Sequence, residues 1–246
     1  MLSDRRQRVL RALIEEYVSH AMPVGSKTIA EQYHLGVSSA TVRNELSALE
    51  EAGYITQPHT SAGRIPTDAG YREFVDDILQ ASDISGEMRD SMESRMRASA
   101  DALDGLMKQV SEELTRLTDC LSIVGCMNDN GTSETSLARK ERLGLSSLMR
   151  KPEFLESSSL LPLMEILEDD TVYFKAFDEA ASATDGFAVR IGRENEDSNL
   201  VCVSVVAGLY GYGDSRGVVA VIGPKRMDYG NVIGAVRAAQ SILNQD

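Results

Sequence analysis

A chain of 246 residues with 42% hydrophobic and 26% charged side chains is long enough for one large domain or two small ones, and too apolar for a disordered polypeptide. Twenty-five Lys and Arg against 38 Asp and Glu leave a net charge of -13, which taken alone argues against a nucleic-acid binder. The distribution reverses that argument: residues 1–72 carry eight basic and eight acidic side chains, so the whole excess of negative charge (17 basic against 30 acidic) lies after them.

Other classes fall away on composition. The N-terminus, Met1-Leu2-Ser3-Asp4-Arg5-Arg6, runs into a charged amphipathic stretch rather than the apolar core of a secretion signal. The longest apolar run, around Leu200 to Tyr210, is about half of what a bilayer requires. A soluble, cytoplasmic protein is expected. Cys120, Cys126 and Cys202 are too few for a disulfide framework, and no His or third Cys accompanies the first two, so neither a metal site nor any other cofactor is expected. Trp is absent and aromatics make up 5%, which disfavours stacking platforms for single strands.

Residues 1–80 read as short helices punctuated by Pro and Gly. Val9, Leu10, Leu13, Ile14, Tyr17 and Val18 form one apolar stripe on a first helix that ends before Pro23 and Gly25. Ser26 is the expected cap of a second helix burying Ile29, Ala30 and Tyr33. After the turn Leu35-Gly36-Val37, Ser38 is the expected cap of a third, anchored by Val42, Leu46 and Leu49 and stopped by Gly53. Tyr54-Ile55-Thr56 and Ile65-Pro66-Thr67 then read as a strand pair around a polar loop, and a fourth helix runs from about Thr67 to Gln80.

Residues 81–122 read as connecting helices. Leu103, Leu106, Val110, Leu114, Leu117 and Leu121 are spaced almost as a heptad seam, fit either for packing on the downstream domain or for a helical dimer contact. Residues 123–142 include a polar, aperiodic stretch from Met127 to Arg142 that reads as a linker. Residues 143–246 mix a helix over Leu160 to Phe177, a strand at Ala188 to Ile191, and two β-branched runs, Leu200 to Val206 and Val218 to Ile222, joined by a Gly-rich turn. A final helix capped by Asp228 runs through Leu243. The expected class is α+β and helix-rich.

Helix, turn, helix and a strand pair with a polar loop is the winged helix-turn-helix plan, in which the N-terminal end of one helix enters the major groove. On the third helix the residues away from the apolar anchor are Ser39, Thr41, Arg43, Asn44 and Ser47, with Ser38 at its start. Arg can grip guanine bidentately, Asn can pair with adenine, and short hydroxyls reach bases or phosphates. Lys27, at the start of the second helix, is placed for the DNA backbone, and the loop His59-Thr60-Ser61-Ala62-Gly63-Arg64 suits a wing, with Arg64 on phosphate. Winged helices also serve as protein–protein modules, and that reading stays open here. No catalytic constellation assembles: His20, His34 and His59 lie in the DNA-binding segment, and Glu168-Asp169-Asp170 sits at a helix end, so an enzyme is not expected.

Pro23-Val24-Gly25-Ser26-Lys27-Thr28-Ile29-Ala30, Ser38 through Leu46, Leu49 through Ile55 and Pro58 through Thr67 closely resemble the heat-inducible transcription repressor HrcA family of bacteria. Gly70-Tyr71-Arg72, Val189 through Gly192 and Val221 through Tyr229 extend the resemblance. The resemblance implies a homodimeric repressor on double-stranded DNA, at an inverted-repeat operator upstream of chaperone genes. It implies release on heat stress and a chaperonin GroE system that helps keep the repressor active. It also implies a GAF-like domain with a dimerising domain inserted into it. A long stretch of that middle region is missing between Leu121 to Val124 and Leu143 to Leu148, so a truncated GAF-like domain is expected over 143–246, the polar linker taking the place of the missing stretch. The alternative is a winged-helix regulator controlled by a small ligand in the C-terminal domain.

Overall fold

The computed structural model describes residues 2–59, 62–80, 85–96, 103–128, 136–155, 157–168, 170–212 and 215–244. Two compact units divide the chain, Met1–Ser82 and Asp83–Asp246.

The first unit opens with α1 (Asp4–His20), whose N-terminus Ser3 caps by accepting from the Arg6 amide. Its stripe buries Val9, Leu10, Leu13 and Ile14. Burying each such side chain contributes about 1.5–3 kcal/mol. α2 (Ser26–Gln32) follows; Gly25, not Ser26, occupies the cap position, and Ser26 is the first helical residue. α3 (Ser39–Glu51) is capped as the pattern predicts, Ser38 Oγ accepting from the Thr41 amide at 3.2 Å, and Val42, Leu46 and Leu49 are buried. Gly53, just past its end, has φ 81°, the left-handed conformation that a β-carbon disfavours. The two-residue strands β1 (Ile55–Thr56) and β2 (Ile65–Pro66) pair antiparallel, and α4 (Asp68–Gln80) buries Tyr71, Val75 and Ile78.

In the second unit, α5 (Ser85–Met96) and α6 (Leu103–Thr118) precede β3 (Leu121–Asn128), β4 (Ser136–Leu143), the short α7 (Leu145–Met149), α8 (Ser157–Glu168) and α9 (Thr171–Ala181). β5 (Phe187–Ile191), β6 (Val203–Tyr212), β7 (Ser215–Pro224) and α10 (Tyr229–Leu243) complete it. The five strands form one antiparallel sheet in the order β4-β3-β7-β6-β5. Alternation along the strands sends two sets of apolar side chains to opposite faces. Leu121, Ile123, Val205, Ala207, Ala220 and Ile222 meet Leu163 and Leu167 of α8 and Val172, Tyr173 and Ala176 of α9. On the other face α6 packs on β3 and α10 on β6 and β7, with α5 and α6 against α10.

Three expectations change. Residues 136–142 are no linker: they belong to β4, paired with β3 from Ser122↔Leu143 to Asn128↔Ser136. The Gly-rich stretch 208–217 is mostly strand: β6 continues to Tyr212 and β7 begins at Ser215. A β-carbon on Gly217 would lie 2.3 Å from the Tyr210 ring and 2.5 Å from the Gly125 carbonyl, so the missing side chain makes room for that buried ring. The helix expected over Leu160 to Phe177 is two, α8 and α9.

The apolar seam of residues 103–121 also resolves. Leu106, Val110 and Leu114 are buried within the second unit, where α6 lies against β3 and α10, and Leu121 is already in the sheet. Val232, Ile233, Val236 and Ile242 of α10, the other expected dimer face, are buried as well. Leu117 of the 103–121 seam is half-buried. The Leu103 side chain lies outside the described residues.

Candidate nucleic-acid interface

α3 is held from below by its apolar anchors, and this fixes which residues face out. Ser39, Arg43, Asn44 and Ser47 are exposed. Ser47 Oγ donates to the Arg43 carbonyl at 3.2 Å, which commits its proton and leaves its lone pairs outward as an acceptor. Ser38 and Thr41 are occupied at the cap: their hydroxyls are 3.1 Å apart, and Ser38 also holds the Thr41 amide.

Pairing separates the cations of this segment. Arg5 and Arg6 bind Glu45, Arg11 binds Glu15, Arg64 binds Glu50, Arg72 binds Asp76, and Lys27 lies 3.8 Å from Glu31 with both side chains largely exposed. Among the described residues of this segment, Arg8 and Arg43 form no ion pair within the chain. Arg43 is therefore a cation on the open face of α3 whose donors the fold leaves unused. Asn44 beside it likewise makes no side-chain hydrogen bond among the described residues.

Lys27, Arg43 and Arg64 line one groove of about 350 Å³, together with Val24, Gly25, Ser26, Leu46, Ala62 and Gly63. The wing builds its far wall. Val24 and Arg64 exchange backbone hydrogen bonds of 2.8 Å in both directions, which fastens the loop return to the segment before α2. A β-carbon on Gly63 would lie 2.5 Å from the Val24 backbone, so only glycine permits that approach. Gln57 Nε2 donates to the Ala62 carbonyl at 2.8 Å and staples the loop across its base. His59 is exposed in this loop, while Thr60 and Ser61 lie outside the described residues.

Arg64 has a carboxylate partner within the fold. Its Nε and Nη2 donate to Glu50 Oε2 at 3.0 and 2.8 Å, so the guanidinium ties the wing to the C-terminal end of α3. Two carboxylates went unread in the sequence, Glu50 and the buried Glu45. Glu45 falls among the apolar anchors at the spacing of a buried residue, a signal that could have singled it out.

Residues 1–79 match the family described as winged helix-turn-helix transcription repressor, HrcA DNA-binding, and residues 72–233 match the HrcA protein C-terminal domain. The chain belongs to the heat-inducible transcription repressor HrcA family. The HrcA repressor of Pseudarthrobacter chlorophenolicus is 32% identical, the alignment covering 100% of this chain and 99% of the relative. That of Frankia casuarinae is 33% identical over 100% and 98%. The first alignment spans 336 positions against 246 residues, so at least 90 of its positions (336 less 246) face no residue of this shortened HrcA chain. A crystal structure described only as that of a hypothetical protein shares the fold, with a TM-score of 0.79, 22% identity and coverage of 100% of this chain and 98% of the other.

A second groove, of about 450 Å³, lies in the C-terminal unit among Lys175, Asp178, Glu179, Glu196, Asp197, Ser198 and Leu200. Its basic neighbours are spent internally: Lys175 binds Asp197, and Arg190 Nε donates to Glu179 at 2.5 Å. Burial pushes the Glu179 carboxyl up, against the pull of Arg190. Among the described residues no group of three His, Cys, Asp or Glu could hold a metal ion, and no helix is long and apolar enough to cross a membrane.

Proposed function

We propose that this chain is a DNA-binding transcription repressor of heat-shock genes that acts in the cytoplasm as a homodimer on an inverted-repeat operator. The observation that carries the reading is Arg43, without an ion-pair partner among the described residues, beside Asn44 on the exposed face of α3, over a groove it shares with Lys27 and Arg64. Arg43 and Asn44 read base edges in the major groove, Ser39 and Ser47 add short polar contacts, and Lys27 meets the backbone. The curated relatives carry the name of heat-inducible repressors, which supports the inducing stress. One winged helix reads a half-site, so symmetry supplies the second. The chain works by binding rather than by catalysis. By the family resemblance the missing stretch lies between Leu121 to Val124 and Leu143 to Leu148, the span in which β3 ends and β4 pairs with it antiparallel. Regulation by the chaperonin GroE system rests on family resemblance.

The deciding experiment selects duplexes from a randomised pool with the full chain, then compares wild type with Arg43→Ala. Arg43→Ala is expected to cost about 1–3 kcal/mol on the selected duplex and to relax preference at one position of each half-site. Equal weakening on all sequences would move Arg43 from base edge to backbone. Absence of any selected sequence would overturn the reading.

A further inference from the structure

Glu45 is the seventh residue of α3, directly after Arg43 and Asn44, yet it is only 6% exposed. Its two oxygens are taken by consecutive residues of α1. Arg5 Nε donates to Oε1 at 2.7 Å with Nη2 at 2.5 Å, and Arg6 Nε donates to Oε2 at 3.0 Å. Burial alone would raise the Glu45 carboxyl; the hydrogen bonds and charges of Arg6 and Arg5 outweigh it and hold the group below the usual carboxylate range. The ion pairs favour its charged form, and among the described residues its arginine partners both come from α1.

Around this ion pair α1 and α3 also bury apolar side chains in the same unit. Val9, Leu10 and Leu13 on one side and Val42, Leu46 and Leu49 on the other are fully or almost fully buried. The hydrophobic effect is non-directional, so a directional contact adds to what fixes the rotation of α3 about its own axis. A carboxylate gripped on both oxygens by two planar guanidiniums is directional. The geometry matters because side-chain tips lie about 5–6 Å from a helix axis, so a roll of about 10° moves them by about 1 Å. A bidentate base contact tolerates roughly half of that.

We propose that Glu45, held by Arg5 and Arg6, is a positioning residue that sets the roll of α3, so that sequence discrimination depends on it and general DNA affinity does not. The inference rests on the reading of α3 as the base-contacting helix. Loss of the carboxylate charge weakens this directional restraint and loosens two arginines, which adds local positive charge. Both changes act on discrimination: specific contacts weaken while attraction to any phosphate backbone is kept or increased.

The test uses the full chain, the duplex it selects from a randomised pool, and a scrambled duplex of the same length at one salt concentration. Glu45→Gln keeps the size and two polar atoms. It is expected to lower the ratio of selected to scrambled affinity about tenfold, with scrambled affinity unchanged or raised. Arg5→Ala combined with Arg6→Ala is expected to lower the ratio similarly while the salt dependence on scrambled DNA stays as in wild type. Equal weakening on both duplexes in step with a lowered melting temperature would reduce Glu45 to a stability element and overturn the proposal. A flattened salt dependence in the arginine variant would make Arg5 and Arg6 phosphate contacts and overturn it too, as would a wild-type ratio in Glu45→Gln. If the wild type selects no duplex, the underlying DNA-reading proposal fails first, and that result is distinct from the others.

Discussion

At the level of single residues, the contrast between Arg43 and Arg64 shows how pairing decides a role. Both line the same groove, but Arg64 spends its guanidinium on Glu50 while Arg43 spends its own on nothing among the described residues. Glu50 is partly exposed, with 33% of its side chain accessible, and so competes with any phosphate that approaches Arg64. Glu50→Gln removes that competitor and one negative charge from the DNA-facing side. It is expected to strengthen binding to every duplex by roughly twofold to tenfold at low salt, an effect that fades as screening grows. Affinity for a scrambled duplex, measured by titration at low and high salt, checks this. Unchanged affinity would mean that Arg64 serves the wing as a strut and meets no phosphate. The residue types facing out of α3 were legible in the sequence because helical periodicity separates them from Val42, Leu46 and Leu49. The Glu50 pairing was not, because it joins residues 14 apart through the wing, and one-dimensional spacing says nothing of such a contact.

Among the elements, α6 carries the ambiguity that periodicity cannot resolve: a near-heptad seam fits a partner helix or the chain's own sheet equally well. The fold decides for the sheet, since Val110 and Leu114 are fully buried in the second unit. Leu114→Ala is therefore expected to cost about 2–5 kcal/mol of stability by leaving a cavity. Sedimentation of the still-folded protein should show its association state unchanged. A variant that shifts the monomer–dimer balance while its denaturation midpoint stays put would show the seam to be an interface after all. Elements with strong patterns were readable: all four helices of the first unit, the strand expected at 188–191 and found at Phe187–Ile191, and the Asp228 cap, whose side chain accepts from the Asn231 amide. β4 was not, for a physical reason. It is an edge strand, and Ala138, Arg139, Lys140 and Arg142 are exposed, so it carries the charges that edges use against unwanted pairing and reads as a polar loop. The glycines of β6 and β7 misled in the opposite direction, since Gly217 is there to admit the Tyr210 ring within a strand rather than to turn the chain.

On the scale of the whole molecule, the net charge of -13 shapes how the protein discriminates rather than whether it binds DNA. The first 72 residues are neutral overall, and six of their eight cations have carboxylate partners within the chain. Arg8, Arg43 and Lys27, whose exposed partner at 3.8 Å holds it only weakly, are what each head offers to phosphate or base. The remaining 174 residues carry the excess of acidic charge and repel a polyanion. In the proposed dimer two heads then neutralise about six phosphates at most, which predicts a slope of log affinity against log salt of roughly −5 for the selected duplex. A fourfold rise in salt should weaken binding by about a thousandfold, while scrambled DNA binds too weakly at physiological salt to compete. Titrations at several salt concentrations give the slope directly. A slope near −10 would require cations beyond these three per head, and would mean that Glu45 or Glu50 releases its arginines when DNA arrives. A slope near −2 would mean that only one head is engaged, against the dimeric reading of an inverted repeat.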